Sequence, residues 1–175
     1  MFSKNRGRAL MVRKGDPLGI QGLADVARTG ARIAQADSVE AGARAGNRTA
    51  VEALVGKSVA DGVFAGEVEH FPGRLGITHR DVPEVLARGY ADVGTQYHLI
   101  SYWVRTFPNH FELVPIARSE RYSLNIGFGR VVDPLRPRAA RAFEEFFFSR
   151  ARDVYPRYDF ARMSDKECGA LLALD

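Results

Sequence analysis

Residues 81–97 hold a helix start and then a strand, and the recurrence of that pairing along the chain does most to limit its fold. Asp81-Val82-Pro83-Glu84 offers an N-cap residue and a proline in the first turn, where a missing N–H is tolerated. After a stop near Gly89, Ala91-Asp92-Val93-Gly94-Thr95-Gln96-Tyr97 reads as a strand that closes on a phenol. Upstream, Asp37-Ser38-Val39-Glu40-Ala41-Gly42 repeats the start signal, with Asp37 as N-cap and Glu40 three residues on, for a helix running through Val55. Strands alternating with helices predict an α/β sheet with substantial parallel pairing.

The remaining runs fit this scheme. Arg8-Ala9-Leu10-Met11-Val12-Arg13 is short, apolar and bounded by turn residues, as a buried strand should be. A turn over residues 15–19, a short helix over 23–27 stopped near Gly30, and a strand over 31–35 follow. Residues 57–70 read as helical up to the Pro72-Gly73 break. A helix over 98–106 contains Trp103, and a strand over 111–116 ends near Pro115. Residues 121–128 alternate polar and apolar, which predicts a half-buried strand. Asp133-Pro134 starts a strong helix whose Ala139, Phe143, Phe146 and Phe147 recur at helical spacing, so these side chains are predicted to be core. A last helix begins at Ser164-Asp165-Lys166-Glu167.

These elements converge on one kind of chemistry. Open α/β sheets bind ligands beyond the carboxyl ends of their strands. Helix N-termini carry unpaired N–H groups and a partial positive charge. Two helix starts and the Tyr97 hydroxyl at neighbouring strand ends would form a pocket for a small oxyanion.

Composition narrows the alternatives. With 175 residues, 46% of them apolar, the chain can build a real core, and no apolar run is long enough to span a membrane. Its net charge of +4 is a small excess of 25 basic over 21 acidic residues. The densest basic cluster, residues 136–157, reads as a solvated helix face, so a nucleic-acid partner is not expected. Cys168 is the only cysteine, which excludes an intrachain disulfide and a multi-cysteine metal site. His70, His79, His98 and His110 show no i, i+4 pair, so no metal site is expected. There is no Ser–His–Asp set, nucleophile elbow, phosphate loop or dinucleotide fingerprint, and hence no enzyme and no cofactor is predicted.

From Phe2-Ser3-Lys4-Asn5 and Leu10-Met11-Val12, through Gly15-Asp16-Pro17-Leu18-Gly19-Ile20 and Arg32-Ile33-Ala34-Gln35-Ala36-Asp37 with Ala41-Gly42, to Asp81-Val82 and residues 91–97, the chain resembles periplasmic solute-binding proteins of the molybdate and tungstate type. Pro134 onward, to Tyr158-Asp159-Phe160, is similar to that family's closing helices. The resemblance implies an α/β, periplasmic-binding-protein type II-like fold lacking the N-terminal half-lobe. One complete lobe and the C-terminal part of the other would remain. Residues 1–13 would be a crossover strand, 14–116 the second lobe, and 117–175 the return to the first. In such proteins oxyanions are held between lobes by neutral donors. Carried over by position, those donors are the backbone of Ala41, the backbone of Val82 and the hydroxyl of Tyr97. Glu40, beside Ala41, is a departure that would bear on ligand choice.

The implied role is the oxyanion-binding component of an ABC-type transport system, with a membrane permease as partner. An effector-sensing domain of a transcription regulator on the same fold is the alternative. Loss of a half-lobe would bare an apolar sheet edge, so a homodimer is a further expectation. The N-terminus lacks an apolar segment of signal-peptide type. The chain as written is thus expected in the cytoplasm, and in the periplasm if a signal segment lies upstream.

Overall fold

The computed structural model describes residues 3–4, 7–36, 41–78, 80–96, 99–122, 125–126, 135–158, 160–162 and 164. The chain forms two compact units, Gly7–Tyr122 and a second built from Met1–Arg6 with Ser123–Asp175. After the short strand Ser3–Lys4 (β1), Ala9–Arg13 (β2) opens the larger unit, and its alternation explains how that unit is layered. Leu10 and Val12 face one core while Met11 faces another, because successive strand side chains point to opposite sides of a sheet.

The first core is built with Leu23–Thr29 (α1), Ile33 of the strand Ile33–Ala34 (β3), Ala41–Val55 (α2) and Lys57–Phe64 (α3). The second core takes Ala34, Val82–Ala87 (α4) and Phe111. Val93–Gln96 (β4), Leu99–Thr106 (α5) and Phe111–Pro115 (β5) complete the unit, and Trp103 and Val104 of α5 pack on the second core. The result is a four-stranded sheet covered on both faces.

Its strand order is β3-β4-β2-β5. β3 pairs with β4 in parallel, whereas β2 runs antiparallel to both β4 and β5. The expected parallel pairing is therefore reduced to one ladder. β3, β4 and β5 do run the same way, but β2 lies between β4 and β5 and takes the hydrogen bonds they would otherwise exchange. Beyond β3, the Ile33 N–H donates to the Gly66 carbonyl and the Val68 N–H donates to the Ile33 carbonyl, so residues 66–68 line that edge.

Helix ends follow their local chemistry. α1 stops at Gly30, which takes the left-handed conformation that glycine enters without penalty. α4 begins at Asp81 with Pro83 in its first turn, as expected. Asp81, however, makes no side-chain cap; its carboxylate accepts from the N–H and hydroxyl of Thr78, at 2.9 and 2.8 Å. Residues 57–70 are not one helix. α3 ends at Phe64, and Glu67 forms a bridge to Ile33 because the open edge of β3 offers backbone partners.

The second unit is sparser. β1 lies between Asn125–Ile126 (β6) and Ala161–Arg162 (β7), antiparallel to each. Pro137–Val154 (α6) is its long helix. Two expectations fail here. Residues 121–122 close a 3-10 turn that starts at Ser119, so the predicted strand is confined, among the described residues, to β6. The helix expected from Asp133-Pro134 begins at Pro137 behind Arg136, because a proline at the first helical position fixes φ and needs no donor; residues 133–134 lie outside the described residues. Nor are Phe143 and Phe146 core, at 55% and 59% exposed, and Ala139 is exposed too, whereas Phe147 is half-buried. Their spacing marks an apolar stripe correctly, but spacing does not say whether anything covers the stripe. The larger unit runs from Gly7 to Tyr122, with β2 as a central strand of its sheet. The predicted helix from Ser164 falls outside the described residues beyond its first position.

Candidate functional site

β3 and β4 are adjacent and parallel, yet the helices that follow them leave for opposite faces. α2 packs into the first core and α5 into the second. Adjacent strands whose connections diverge leave a crevice at their carboxyl ends, where ligands of open α/β sheets bind. The 15 residues of α2 begin at Ala41, just beyond the end of β3. α4 packs on β4, where a Cβ on Gly94 would lie 2.5 Å from the Val82 Cγ1.

The predicted residues fare differently. Ala41 is exposed at the first position of α2. Val82 is at the first position of α4 but wholly buried, so solvent does not reach its backbone in this conformation. Tyr97, like Asp37, Glu40 and His98, lies outside the described residues. The structure thus starts α2 and α4 on opposite faces of the sheet.

Two polar clusters at this end were not anticipated. In the first, Asn47 of α2 is 4% exposed; its amide donates to the Thr95 hydroxyl at 3.2 Å, and its carbonyl oxygen accepts from the Arg8 guanidinium. Asn47 drew notice only as part of a glycosylation-like triplet, which is no guide to burial. The Ser119 hydroxyl accepts from the Arg8 N–H and donates to the Arg8 carbonyl, at 2.8 and 3.0 Å. This network fastens α2 to β4 and to the start of β2.

The second cluster centres on Glu67. Its carboxylate accepts from Gln35 at 2.8 Å, Arg44 at 2.8 Å and Arg48 at 2.6 Å. Burial alone would raise its pKa, but the hydrogen bonds from Arg44, Gln35 and Arg48 outweigh burial and hold it below the ordinary glutamate value. Arg48 also lies over the Phe64 ring, 4.4 Å from its centroid. Two guanidiniums thus share one carboxylate on the first turns of α2. At the opposite end of the sheet, Asp92 binds the Arg32 guanidinium through both oxygens, at 3.0 and 2.9 Å, and Arg13 at 3.1 Å. Arg32 chiefly lowers its pKa, against burial and with help from the Arg32 N–H and the Arg13 charge. That clamp ties β2, β3 and β4 together.

Among the described residues no group of three His, Cys, Asp or Glu side chains could hold a metal ion, and no helix is long and apolar enough to cross a membrane. A separate groove of about 390 Å³ between α4 and α5, lined by Arg80, Trp103, Phe107 and His110, is apolar and lies away from these clusters.

The fold has clear relatives. Residues 5–155 match the family model for bacterial extracellular solute-binding proteins, and the chain belongs to that family. The sulfate-binding protein SubI from Mycobacterium tuberculosis is 16% identical, with a TM-score of 0.63 over 99% of this chain and 62% of its own. PEB3 with L-phospholactate bound is 13% identical, with a TM-score of 0.61 over 92% and 67%; PEB3 is a Campylobacter jejuni protein. The substrate-binding domain of a putative molybdenum ABC transporter from Clostridium difficile is 17% identical, with a TM-score of 0.54 over 91% and 65%. At these identities the likeness is one of fold. The chain spans less than two thirds of the first of these relatives. No curated protein sequence matches the chain. Its fold is the α/β fold of periplasmic binding proteins, with one complete lobe and part of another.

Proposed function

We propose that this chain binds a small oxyanion at the carboxyl ends of β3 and β4, as the solute-binding component of an ABC-type transport system, without chemistry. The observation that carries the reading is the divergence of α2 and α5 to opposite faces after two adjacent parallel strands, with the start of α2 exposed. An α-helix start presents N–H groups that have no partner within the helix, together with partial positive charge. Arg44 and Arg48 exceed Glu67 by one charge on the first turns of the same helix, which favours an anion, while the carboxylate of Glu40 beside Ala41 counts against it.

The donors are the Ala41 N–H, the Val82 N–H and the Tyr97 hydroxyl. Ala41 is open to an ion as the structure stands. The Val82 N–H requires its cover to move, so it is the contact that contributes least in the described conformation. Charge-assisted hydrogen bonds of this kind are short and about twice as strong as neutral ones, so few are needed. Three structural relatives are described as sulfate-binding, as binding L-phospholactate and as part of a putative molybdenum transporter, all oxyanion chemistry. Molybdate or tungstate is the ion proposed from the sequence resemblance. Its partner would be a membrane permease, and its place the periplasm if a signal segment precedes the chain.

A thermal-shift panel with molybdate, tungstate, sulfate and phosphate against a chloride control tests the reading. Bound ligand stabilises the folded state in proportion to the logarithm of its concentration over Kd, and a hundredfold excess is worth about 2.7 kcal/mol. A rise in Tm with one of the four, absent with chloride, is expected. No rise with any of them would overturn oxyanion binding by this chain.

A further inference from the structure

α2 is held differently along its length. Its later half is packed by apolar side chains: Val51 is buried in the first core, with Leu54 and Val55 packed against that core. Its earlier half turns polar groups inward instead. Arg44, Asn47, Arg48 and then Val51 follow at three- and four-residue spacing, so they share one side of the helix. Arg44 and Arg48 reach Glu67, beyond the edge of β3, at 2.8 and 2.6 Å. Asn47 reaches the other way, to Thr95 of β4 at 3.2 Å, with the two residues only 4% and 5% exposed.

A buried amide–hydroxyl pair adds little net stability, but its geometry is narrow and it is costly to break. Direction is what such a pair contributes, and here the direction is itself fixed from behind. The Arg8 guanidinium can only donate, so it holds the Asn47 carbonyl oxygen and turns the amide nitrogen toward Thr95. Ser119 in turn fixes Arg8, accepting from its N–H and donating to its carbonyl.

We propose that Asn47 and Thr95 are positioning residues of the oxyanion site, setting the gap between the start of α2 and the end of β4 and with it the size of ion preferred. This rests on the oxyanion reading above. Asn47 lies six residues after Ala41, and Thr95 two residues before Tyr97. Their hydrogen bond therefore joins the two segments that carry those donors, whereas the Glu67 contacts run to the far side of β3. Tetrahedral molybdate and tungstate are larger than sulfate and phosphate, so a gap held at one width favours one pair. A loosened gap adapts to both.

Calorimetric titration of the full chain with molybdate, tungstate, sulfate and phosphate tests it, the affinity ratio between larger and smaller ions being the decisive readout. Thr95→Val removes the hydroxyl and keeps the shape, and Asn47→Ala removes the amide. Each should weaken the preferred ion about tenfold, the worth of one hydrogen bond to a well-placed partner, and lower its advantage over ions of the other size. The two losses should not add, because both variants remove one contact. Thr95→Ser keeps the hydroxyl and should keep the ratio. Thr95→Val disturbs the fold less than Asn47→Ala, since Asn47 retains its Arg8 contact. A variant that only lost stability would bind every ion less to the same degree. An unchanged ratio in Thr95→Val, additive losses, or a Thr95→Ser chain that behaves like Thr95→Val would overturn the positioning role and leave oxyanion binding standing. A wild-type chain that takes up none of the four ions would overturn both.

Discussion

Single residues set the electrostatics at the site end of the sheet. Glu67 has its pKa lowered in the folded state, so its contribution to stability is complete above the ordinary carboxylate range and is lost as pH falls through the folded value. Glu67→Gln keeps the shape but removes the charge. It should cost about 1–3 kcal/mol at neutral pH and flatten the acid limb of stability, leaving mainly the part due to Asp92; urea melts at several pH values would show it. An unchanged acid limb would mean that Glu67 is not held as the structure shows. On the ligand side, Tyr97→Phe removes a hydroxyl and should weaken oxyanion binding roughly tenfold, the worth of one hydrogen bond to a charged group, with Tm unaltered in the absence of ion. Calorimetry that finds equal affinity would remove Tyr97 from the site. The start of α4 behind Asp81 was legible because the proline signal at Pro83 is local. Asn47, Thr95 and the Glu67 cluster were not, because they pair across long sequence separations and nothing near Asn47 distinguishes a buried amide from an exposed one.

At the level of elements, Gly94 decides how closely α4 can lie on β4. An added Cβ would meet Val82 Cγ1 at 2.5 Å and Leu86 Cδ1 at 3.4 Å. Gly94→Ala should therefore cost about 1–3 kcal/mol by overpacking, and it should alter oxyanion affinity if the start of α4 belongs to the site. Chemical denaturation and a titration on the same variant separate the two effects. Wild-type stability would show that this packing does not position α4. Most element types were readable from periodicity and punctuation: α1 with its glycine stop, α4 with its proline, β5 with its terminal proline. What could not be read was coverage. α6 has the spacing of a core helix and yet shows Phe143 and Phe146 to solvent, because amphipathicity identifies a face and not the body that buries it.

For the molecule as a whole, the two units differ in how much they bury. Among the described residues nearly all buried apolar side chains lie in Gly7–Tyr122, and the other unit has Ala151 and Phe160. Amide exchange should follow this division, slowest in β2 and β4 and faster by orders of magnitude in α6 at concentrations where the chain is monomeric. Equal protection in α6 and β2 under those conditions would contradict it. The sheet order has a consequence for synthesis. β2 leaves the ribosome before both of its partner strands, since Leu10 pairs with Thr95 and Val114. At about 5–20 residues per second, its three most buried side chains must wait several seconds for their partners. Early in its life this protein is therefore a client for whatever shields nascent apolar segments, and a slowly translated message would lengthen that dependence.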